Sequence, residues 1–136
     1  MQIIGIGTDI VECLRIAEMI ERHHQLFLAR VFTEHEIGYC RARRKSTEHF
    51  AARWAAKEAV LKCMGTGMSK GLSWTEIEVR NDPAGRPRVI VHGATRELAR
   101  GKRISEFLIS LSHCRQYAVA YATAVRHDAD DGERAV

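Results

Sequence analysis

Residues 46–67 of this chain are STEHFAARWAAKEAVLKCMGTG. The segment is rich in alanine, the residue with the highest helix propensity, and it predicts a helix from about residue 48 to residue 64. Ser46 and Thr47 are predicted to cap the start of this helix. Gly65-Thr66-Gly67 is predicted to end it, because glycine adopts the left-handed conformation of a helix C-terminus at little cost. The other elements are placed outward from this helix.

Toward the N-terminus the sequence predicts one strand and three helices. Residues 3–11 are apolar and predict the strand, in which Gly5 and Gly7 indicate a bulge or a close approach by another backbone. The helices are expected at residues 12–22, 26–31 and 33–44. The last of them opens with Thr33-Glu34-His35-Glu36, which has the spacing of a capping box.

Toward the C-terminus the sequence predicts two hairpins and one more helix. Asn81-Asp82-Pro83-Ala84-Gly85 is a strong turn signal, and residues 113–116 form a second, tighter turn. A loop is expected at 67–73, strands at 76–80, 88–92, 106–112 and 117–126, and a helix at 94–102. The predicted class is therefore α+β with a largely antiparallel sheet. Residues 1–126 are predicted to form a single domain, and the polar residues 127–136 a frayed tail.

The composition is that of a globular protein. The chain has 136 residues, of which 46% are hydrophobic and 28% charged, and this length predicts one domain with its own core. No apolar run approaches the ~18 residues of a membrane span, and no signal peptide is evident, so we expect a cytoplasmic location and no membrane association. The four cysteines include no Cys-x-x-Cys pair and are expected to be buried thiols.

The chain is basic, with a formal net charge of +4 and a pI of about 9.1. A basic protein favours an anionic partner, which could be nucleic acid, a phosphate compound or an acidic protein. Basic residues cluster at 41–45 and again at 100–103. Either cluster is equally compatible with a solvated helix end, so charge alone does not choose a partner.

Two charged residues stand out on the predicted long helix. Glu58 and Lys62 lie one turn apart, at the edge of an apolar face, and the neighbouring Ala51 and Ala55 leave space rather than fill it. That apolar face contains Phe50, Trp54 and Leu61. One interpretation is a surface ion pair worth only a few tenths of a kcal/mol. The other is a carboxylate and an ammonium beside a shallow binding surface.

Asp9 favours the second interpretation. It comes near the end of an apolar strand, where a carboxylate is costly unless it is paired, hydrogen-bonded or metal-bound. It could be the N-cap of the helix that follows. It could equally share a hard metal ion with Glu58, because two carboxylates, waters and substrate phosphate oxygens are the ligands that Mg²⁺ accepts. Lys62 would then offset the remaining phosphate charge.

Polar residues also end one of the last strands, at Ser110-Leu111-Ser112-His113. Strand alternation places Ser110 and Ser112 on one side, and hydroxyls beside a histidine suit a polar ligand. A lone histidine in a turn is, however, more often structural or exposed. The Gly65-Thr66-Gly67 turn could present N–H groups to a phosphate or could simply stop the helix, and it is not a Walker loop.

Together these motifs resemble the acyl-carrier-protein synthase family, the small type of 4′-phosphopantetheinyl transferase. The resemblance covers the chain to about Val125. Its motifs are Gly5-Ile6-Gly7-Thr8-Asp9-Ile10-Val11, residues 50–62 with Gly65-Thr66-Gly67, Gly85-Arg86-Pro87, and Ser110-Leu111-Ser112-His113. Any one motif is moderate evidence, whereas several in the right order at the right separations are strong evidence. Cys63-Met64 and the tail after Arg126 depart from the family pattern.

The resemblance implies a fold, an activity and partners. The fold is an antiparallel sheet with a long packed helix, in a protomer that forms homotrimers with active sites between neighbouring subunits. The enzyme would transfer the 4′-phosphopantetheine group of coenzyme A to a serine of apo acyl carrier protein. It would use Mg²⁺ as its cofactor and release adenosine 3′,5′-bisphosphate, in support of fatty-acid biosynthesis.

The resemblance also implies roles for the matching residues. Asp9 and Glu58 would hold Mg²⁺, and Lys62 would contact the phosphates and help the leaving group depart. These three are the expected catalytic residues. Arg15 and Arg22 would face the acidic carrier protein. The other expected contacts with coenzyme A are Arg44, Arg53, Gly65, Thr66, Ser112 and His113.

Two other functions fit parts of the sequence. A metal-dependent nuclease could use Asp9, Glu58 and Lys62, but many nucleases place the Glu and Lys two residues apart on a strand, and here they are four apart on a helix. A basic nucleic-acid-binding module would need no Mg²⁺, and its affinity should fall steeply with salt. The sequence contains no recognition motif for such a module.

Overall fold

The computed structural model describes residues 1–69 and 71–129 of the chain. The helices are α1 (Cys13–Val31), α2 (Glu34–Arg41), α3 (Ser46–Met64) and α4 (Gly93–Gly101). The strands are β1 (Gln2–Glu12), β2 (Ile77–Asn81), β3 (Pro87–Val91), β4 (Glu106–His113) and β5 (Tyr117–Arg126), and a short 3-10 helix, Trp74–Glu76, precedes β2. The predicted α+β class is confirmed, and each predicted strand is found within about a residue of its predicted bounds.

The strands form two antiparallel sheets. The larger has the order β1-β5-β4, and the smaller pairs β2 with β3. The last strand of the described chain, β5, is thus the central strand of the larger sheet, and its start at Tyr117 lies opposite Glu12 at the end of β1. The sequence predicted antiparallel hairpins but not their division between two sheets, because periodicity does not reveal which hairpins share hydrogen bonds.

Helix α3 lies at the centre of the molecule. Its buried residues are Phe50, Ala51, Ala52, Arg53, Ala55, Ala56, Lys57, Ala59, Val60, Leu61, Cys63 and Met64. The helix is enclosed because the three-stranded sheet packs on one side of it, while α1, α2 and β2 pack on the others. The expectation of a single apolar face with open space at Ala51 and Ala55 is therefore wrong, since neither alanine retains any exposure.

The ends of α3 differ in how well they were predicted. The helix ends at Gly65, which has φ 73° and takes the left-handed conformation expected of it. Its N-cap is Lys45 and no side chain caps it, so the predicted caps Ser46 and Thr47 already lie within the helix. The first turn closes through the backbone instead, where the Glu48 N–H donates to the Lys45 carbonyl at 3.1 Å.

Two glycines let β1 lie directly against α3. A Cβ on Gly5 would overlap the carbonyl oxygen of Cys63, and a Cβ on Gly7 would overlap that of Ala59. The pairing of β1 with β5 also shifts register between Ile3 and Gly5. Both predicted features, a bulge and a close backbone approach, are therefore present.

Helix α1 contains a sharp kink. His24 has φ 46° and ψ −125°, which breaks the helix into two parts near the boundary between the two predicted short helices. Phe32 follows the second part, and then the predicted capping box opens α2. Thr33 Oγ1 accepts from the Glu36 N–H at 3.2 Å, and Glu36 Oε1 accepts from the Thr33 N–H at 2.9 Å.

A fully buried ion pair joins α2 to α3. Lys57 Nζ lies 2.8 Å from Glu36 Oε1, and neither side chain is exposed. Lys57 also donates to the carbonyls of Trp74 and Ile77, and the Val79 N–H donates to Glu36 Oε2. The pair therefore fixes two helices and the start of β2 together.

Within residues 1–69 and 71–129 no helix is long and apolar enough to cross a membrane. The predicted tail is described only as far as Ala129, and residues 130–136 lie outside the described part. Its first residues are held in place: the His127 N–H donates to Ser105 Oγ at 2.9 Å, and the Met1 ammonium donates to Asp128 at 2.7 Å.

Candidate active site

Three charged side chains meet where β1 crosses the second half of α3. Gly7 brings the strand close enough that a Cβ on it would also crowd Lys62. Asp9 lies two residues further along β1, on the same face. Lys62 Nζ donates to the Thr8 carbonyl at 2.8 Å and lies 3.2 Å from Asp9 Oδ1. Asp9 is therefore paired with Lys62 of α3, and it caps no helix, since the N-cap of α1 is Glu12.

Glu58 completes this cluster one turn before Lys62. Its pKa is raised above the usual value of 4.5, first because burial disfavours its charged form and second because Asp9 is negatively charged. Lys62 and Arg15 act in the opposite direction and lower the pKa of Glu58. The four side chains thus form one electrostatic unit, with two carboxylates that repel each other and two cations beside them.

This carboxylate pair fits a divalent cation. Repulsion between Asp9 and Glu58 would be relieved by a positive ion between them, and oxygen ligands are those that Mg²⁺ prefers. No group of three or more His, Cys, Asp or Glu side chains capable of holding a metal is found in the described residues. The protein therefore offers two carboxylates, and any Mg²⁺ there would take its other ligands from water and substrate.

His113, at the end of β4, lies against the first turn of α3. Its Nδ1 is 2.8 Å from Glu48 Oε1, and its ring centroid is 4.9 Å from that of His49. The pKa of His49 is lowered, first by burial and then by the neighbouring His113, Arg53 and Arg43, while Glu48 raises it. Sequence analysis named His113 but missed Glu48, whose only signal was an acidic residue in the first turn of a helix.

A cleft of about 400 Å³ opens at the same end of α3. It is lined by Cys13, Leu14, Ala17, Arg44, Lys45, Ser46, Thr47, Glu48 and Arg115. The helix N-terminus that faces this cleft has no side-chain cap, and N-terminal N–H groups with neighbouring cations attract anions. Arg44 therefore lies where an anionic ligand of the cleft could reach it.

Arg53 does not lie in this cleft or beside Asp9. It is only 2% exposed, its Nη2 donates to Asn81 Oδ1 at 2.7 Å, and its guanidinium carbon is 4.0 Å from the centroid of the Tyr39 ring. This burial opposes the expected contact with coenzyme A. Arg53 instead packs α3 against the end of β2 and against α2.

The remaining predicted ligand residues lie at two places. Gly65 and Thr66 follow α3, and Thr66 Oγ1 is buried with no hydrogen-bond partner among the described residues. Ser112 immediately precedes His113 on β4 and is exposed. Ser110 is exposed in the same way, so the predicted shared side of the two serines is confirmed.

The first helix presents a basic and partly apolar surface. Arg15 and Arg22 are exposed on α1, and Arg15 is close enough to Glu58 to affect its pKa. Leu14 is 66% exposed and Leu26 is 81% exposed, which is unusual for leucine. The helix therefore extends away from the carboxylates as a surface with both charge and apolar area.

The outer face of the larger sheet is also apolar. Its exposed residues are Ile3, Ile6, Ile10, Leu108, Tyr117, Val119 and Tyr121. They alternate with buried residues on the same strands, such as Ala118 and Ala120 of β5, which pack toward α3. Thr8, Ser110 and Ser112 are exposed on the same face. An exposed, largely apolar face of this kind indicates a contact with another protein surface.

The chain is similar in sequence to a known family over most of its length. The sequence model of the 4′-phosphopantetheinyl transferase superfamily matches residues 5–122. The chain is 47% identical over 118 residues to a holo-[acyl-carrier-protein] synthase of Koribacter versatilis, and the match covers 87% of this chain and 94% of that protein.

Solved structures are similar as well. A holo-[acyl-carrier-protein] synthase of Neisseria meningitidis has a TM-score of 0.85 at 31% identity, covering 92% of this chain and 100% of that one. A holo-(acyl-carrier-protein) synthase of Bacillus anthracis, solved in complex with coenzyme A (3′,5′-ADP), has a TM-score of 0.76 at 35% identity, covering 92% of this chain and 98% of that one.

Proposed function

The chain belongs to the 4′-phosphopantetheinyl transferase superfamily as an enzyme of the holo-[acyl-carrier-protein] synthase type, and we propose that it transfers 4′-phosphopantetheine from coenzyme A to a serine of apo acyl carrier protein with Mg²⁺. The observation that carries the proposal is the cluster of Asp9, Glu58 and Lys62 where β1 crosses α3. A hydroxyl attacks the β-phosphate, and adenosine 3′,5′-bisphosphate leaves. We further propose a role in fatty-acid biosynthesis.

Asp9 and Glu58 would hold the metal. When bound, Mg²⁺ neutralises phosphate charge and aligns the diphosphate for in-line attack. Lys62, with its ammonium 3.2 Å from Asp9 and half exposed, is free to turn toward the leaving phosphate and stabilise its developing charge. The protein needs no covalent nucleophile, because positioning and charge neutralisation supply most of the lowering of the barrier.

The attacking serine must lose its proton. Glu58 or Asp9 would accept it, directly or through a water molecule bound at the site. The position of Glu58 one turn from Lys62 keeps the proton acceptor and the leaving-group cation on the same side of α3.

The other phosphates of coenzyme A would bind toward the start of α3. Arg44 lines the cleft there, and His113 and Ser112 end the strand beside it. Gly65 and Thr66 would serve the opposite end of the helix, where the unpartnered Thr66 Oγ1 can still take a hydrogen bond. Arg53 stays a proposed contact of coenzyme A: its guanidinium is buried against Tyr39 and Asn81, but its Nε has no hydrogen-bond partner among the described residues.

Arg15 and Arg22 would receive the acidic carrier protein. Both are exposed on α1, and Arg15 is close enough to Glu58 to affect its pKa, so a partner bound there would lie near Glu58. The exposed Leu14 and Leu26 lie on either side of these two arginines along the chain and add apolar contact area. Such a surface suits an amphipathic acidic helix, because charge steers the approach and apolar burial holds the complex.

We also propose that three copies assemble through the outer face of the larger sheet. The support is the row of exposed apolar residues on β1, β4 and β5, which alternates with the buried core side. Asp9 lies next to Ile10 in β1, on the opposite face of the strand, so an assembly through the outer face would bring a neighbouring subunit to the strand that carries Asp9. A cytoplasmic location is favoured by the cysteines, all four of which are free thiols.

The proposal is tested by mass spectrometry of apo acyl carrier protein incubated with the purified chain, coenzyme A and Mg²⁺. We expect a gain of one phosphopantetheine mass, lost when EDTA is added. A matched reaction with coenzyme A lacking its 3′-phosphate tests the anion cleft separately. No gain in mass with several apo carrier proteins, at any Mg²⁺ concentration, would reject the proposed reaction.

A further inference from the structure

The hydrogen bond between Glu48 and His113 defines the protonation of one ring nitrogen. The distance from Glu48 Oε1 to His113 Nδ1 is 2.8 Å, and an ionised carboxylate can only accept hydrogen bonds. Nδ1 must therefore carry the hydrogen whether the ring is neutral or charged. Nε2 is the one ring nitrogen left for another partner, and it makes no hydrogen bond to any residue of the described chain.

Both sides of this pair are held by rigid structure. Glu48 is in the first turn of the buried helix α3, and its side chain is only 12% exposed. His113 follows directly from the β4 pairing with Ala118, and its ring meets the His49 ring edge-on at 4.9 Å. The ring plane is thus fixed by His49, and the ring's rotation within that plane is fixed by Glu48.

We propose that Glu48 is a positioning residue of the transfer reaction: it holds His113 so that Nε2 stays available to coenzyme A bound in the cleft that Glu48 lines. The proposal rests on the proposed function, because it assigns His113 a contact with that substrate. Glu48 itself also lines the cleft, together with Arg44 and Arg115. Without Glu48 the ring could turn over, or exchange its protonated nitrogen, and the fixed contact would be lost.

A structural role for Glu48 makes different predictions. An acidic residue in the first turn stabilises a helix through the helix dipole, and removing it would lower stability without changing how the enzyme meets coenzyme A. Kinetic coupling between Glu48 and His113 separates the two roles, because residues acting through one contact are not additive.

The first test is a double-mutant cycle of E48A and H113A, measured as kcat/KM for coenzyme A. We expect each single variant to lose about 10-fold or more, and the double variant to match H113A within about twofold. E48Q, whose amide oxygen can still accept from Nδ1–H, should lose less than E48A. Additive losses in the double variant, or equal losses in E48Q and E48A with unchanged KM for coenzyme A, would overturn the proposal.

The second test is independent of activity. The ¹⁵N chemical shifts of the His113 ring, recorded at a pH at which imidazole is neutral, report which nitrogen is protonated. We expect protonated Nδ1 in the wild type and a shift toward protonated Nε2 in E48A. The exposed Glu97 of α4 supplies the control, and E97A should leave both the ring signals and the kinetics unchanged.

The two tests also separate this proposal from the one on which it rests. A wild-type chain with protonated Nδ1 but no transfer to any carrier protein would reject the proposed reaction and leave the orienting contact in place. A transferase in which E48A leaves the ring signals unchanged would reject the role of Glu48 alone.

Discussion

The charge on Glu58 is set by its immediate neighbours. Burial and the negative charge of Asp9 raise its pKa, whereas Lys62 and Arg15 lower it, and burial is the largest of these effects. A carboxylate in such a place is poorly stabilised until a cation arrives or a proton is taken up. The proposed metal site therefore needs an ionised Glu58, whereas the stability of the metal-free fold is lowered by that charge.

Glu58→Gln tests the chemical demand. Its rate of transfer should fall by at least about 100-fold, the usual order for loss of one charge-stabilising group at a transition state. Gel-shift or mass analysis of the carrier protein over time measures it. Activity near that of the wild type would exclude Glu58 both as a metal ligand and as the proton acceptor.

The same variant tests the stability demand. Because the folded pKa of Glu58 lies above its unfolded value of 4.5, folding stability is lost as the pH rises from that value through the raised folded pKa. In EDTA, Glu58→Gln should therefore melt at a higher temperature than the wild type at neutral pH, and the difference should vanish in acid. Thermal scans over a pH series measure the difference, and E97Q is a matched control with an exposed carboxylate.

Residue types could be predicted from the sequence where chemistry restricts the choice. Asp9, Glu58 and Lys62 could be singled out because a carboxylate near a strand end is costly unless it is paired or bound, although each feature alone has an ordinary explanation. That the three meet is seen in the structure, whereas their catalytic roles are proposed. Glu48 could not be identified, because an acidic residue in a first helical turn needs no partner to explain it. Arg53 was predicted to contact coenzyme A because its motif matched the family. The burial of its side chain could not be predicted from the sequence.

The contact between β1 and α3 is an interface of very small residues. Gly5 and Gly7 face α3, and the β5 residues that pack on the same side are Ala118, Ala120, Ala122 and Ala124, all fully buried. Small side chains bring the backbones of strand and helix close together. The distance from Asp9 to Lys62 is fixed by this approach, so packing and site geometry depend on the same positions.

Gly7→Ala should destabilise the fold and disturb the site together. The added Cβ would overlap the Ala59 carbonyl, a backbone atom that cannot turn away, and we expect a loss of about 1–3 kcal/mol or more. Gly38→Ala, in α2 with open space around it, should instead raise the free energy of unfolding by about 0.5–1 kcal/mol. Urea unfolding of both variants measures the difference, and equal stabilities would contradict the close approach.

The buried pair of Glu36 and Lys57 connects α2, α3 and β2. Burial lowers the pKa of Lys57, although the neighbouring Glu36 opposes this by stabilising the charged form. Replacing Glu36 by Ala would leave a buried ammonium without its carboxylate, which costs about 3–5 kcal/mol. Chemical denaturation should register the loss, while Arg100→Ala, which breaks the exposed pair with Glu97, should change stability by no more than about 0.5 kcal/mol.

In the part of the chain that the structure describes, the outer side of the larger sheet carries a row of exposed apolar residues. A lysine at Ile6, in the middle of that face, should separate the proposed trimer, because an ammonium buried between subunits has no partner there. Sedimentation equilibrium should give three times the 15.4 kDa chain mass for the wild type and a smaller mass for Ile6→Lys. Ile90→Lys, at an exposed position of β3, is the control, and a wild-type monomer would contradict the assembly.

For the molecule as a whole, the sequence predicted the individual helices and strands better than the way they pack together. The strands and helices were identified because period, glycines and capping residues are local signals. The enclosure of α3 on all sides was not, because it depends on contacts between elements far apart in sequence. Helix α3 has no polar face because other elements pack against it on all sides. Its surroundings, rather than its own sequence pattern, therefore decide which of its residues are buried.

The order β1-β5-β4 has a consequence for how the protein is made. Within residues 1–69 and 71–129, the first strand pairs with β5 alone, from Gln2 opposite Arg126 to Glu12 opposite Tyr117. A ribosome adding roughly 5–20 residues per second must therefore work for several seconds after β1 emerges before its partner exists. Throughout that interval the apolar edge of β1 is unprotected. The larger sheet is therefore expected to form only after its central strand has left the ribosome.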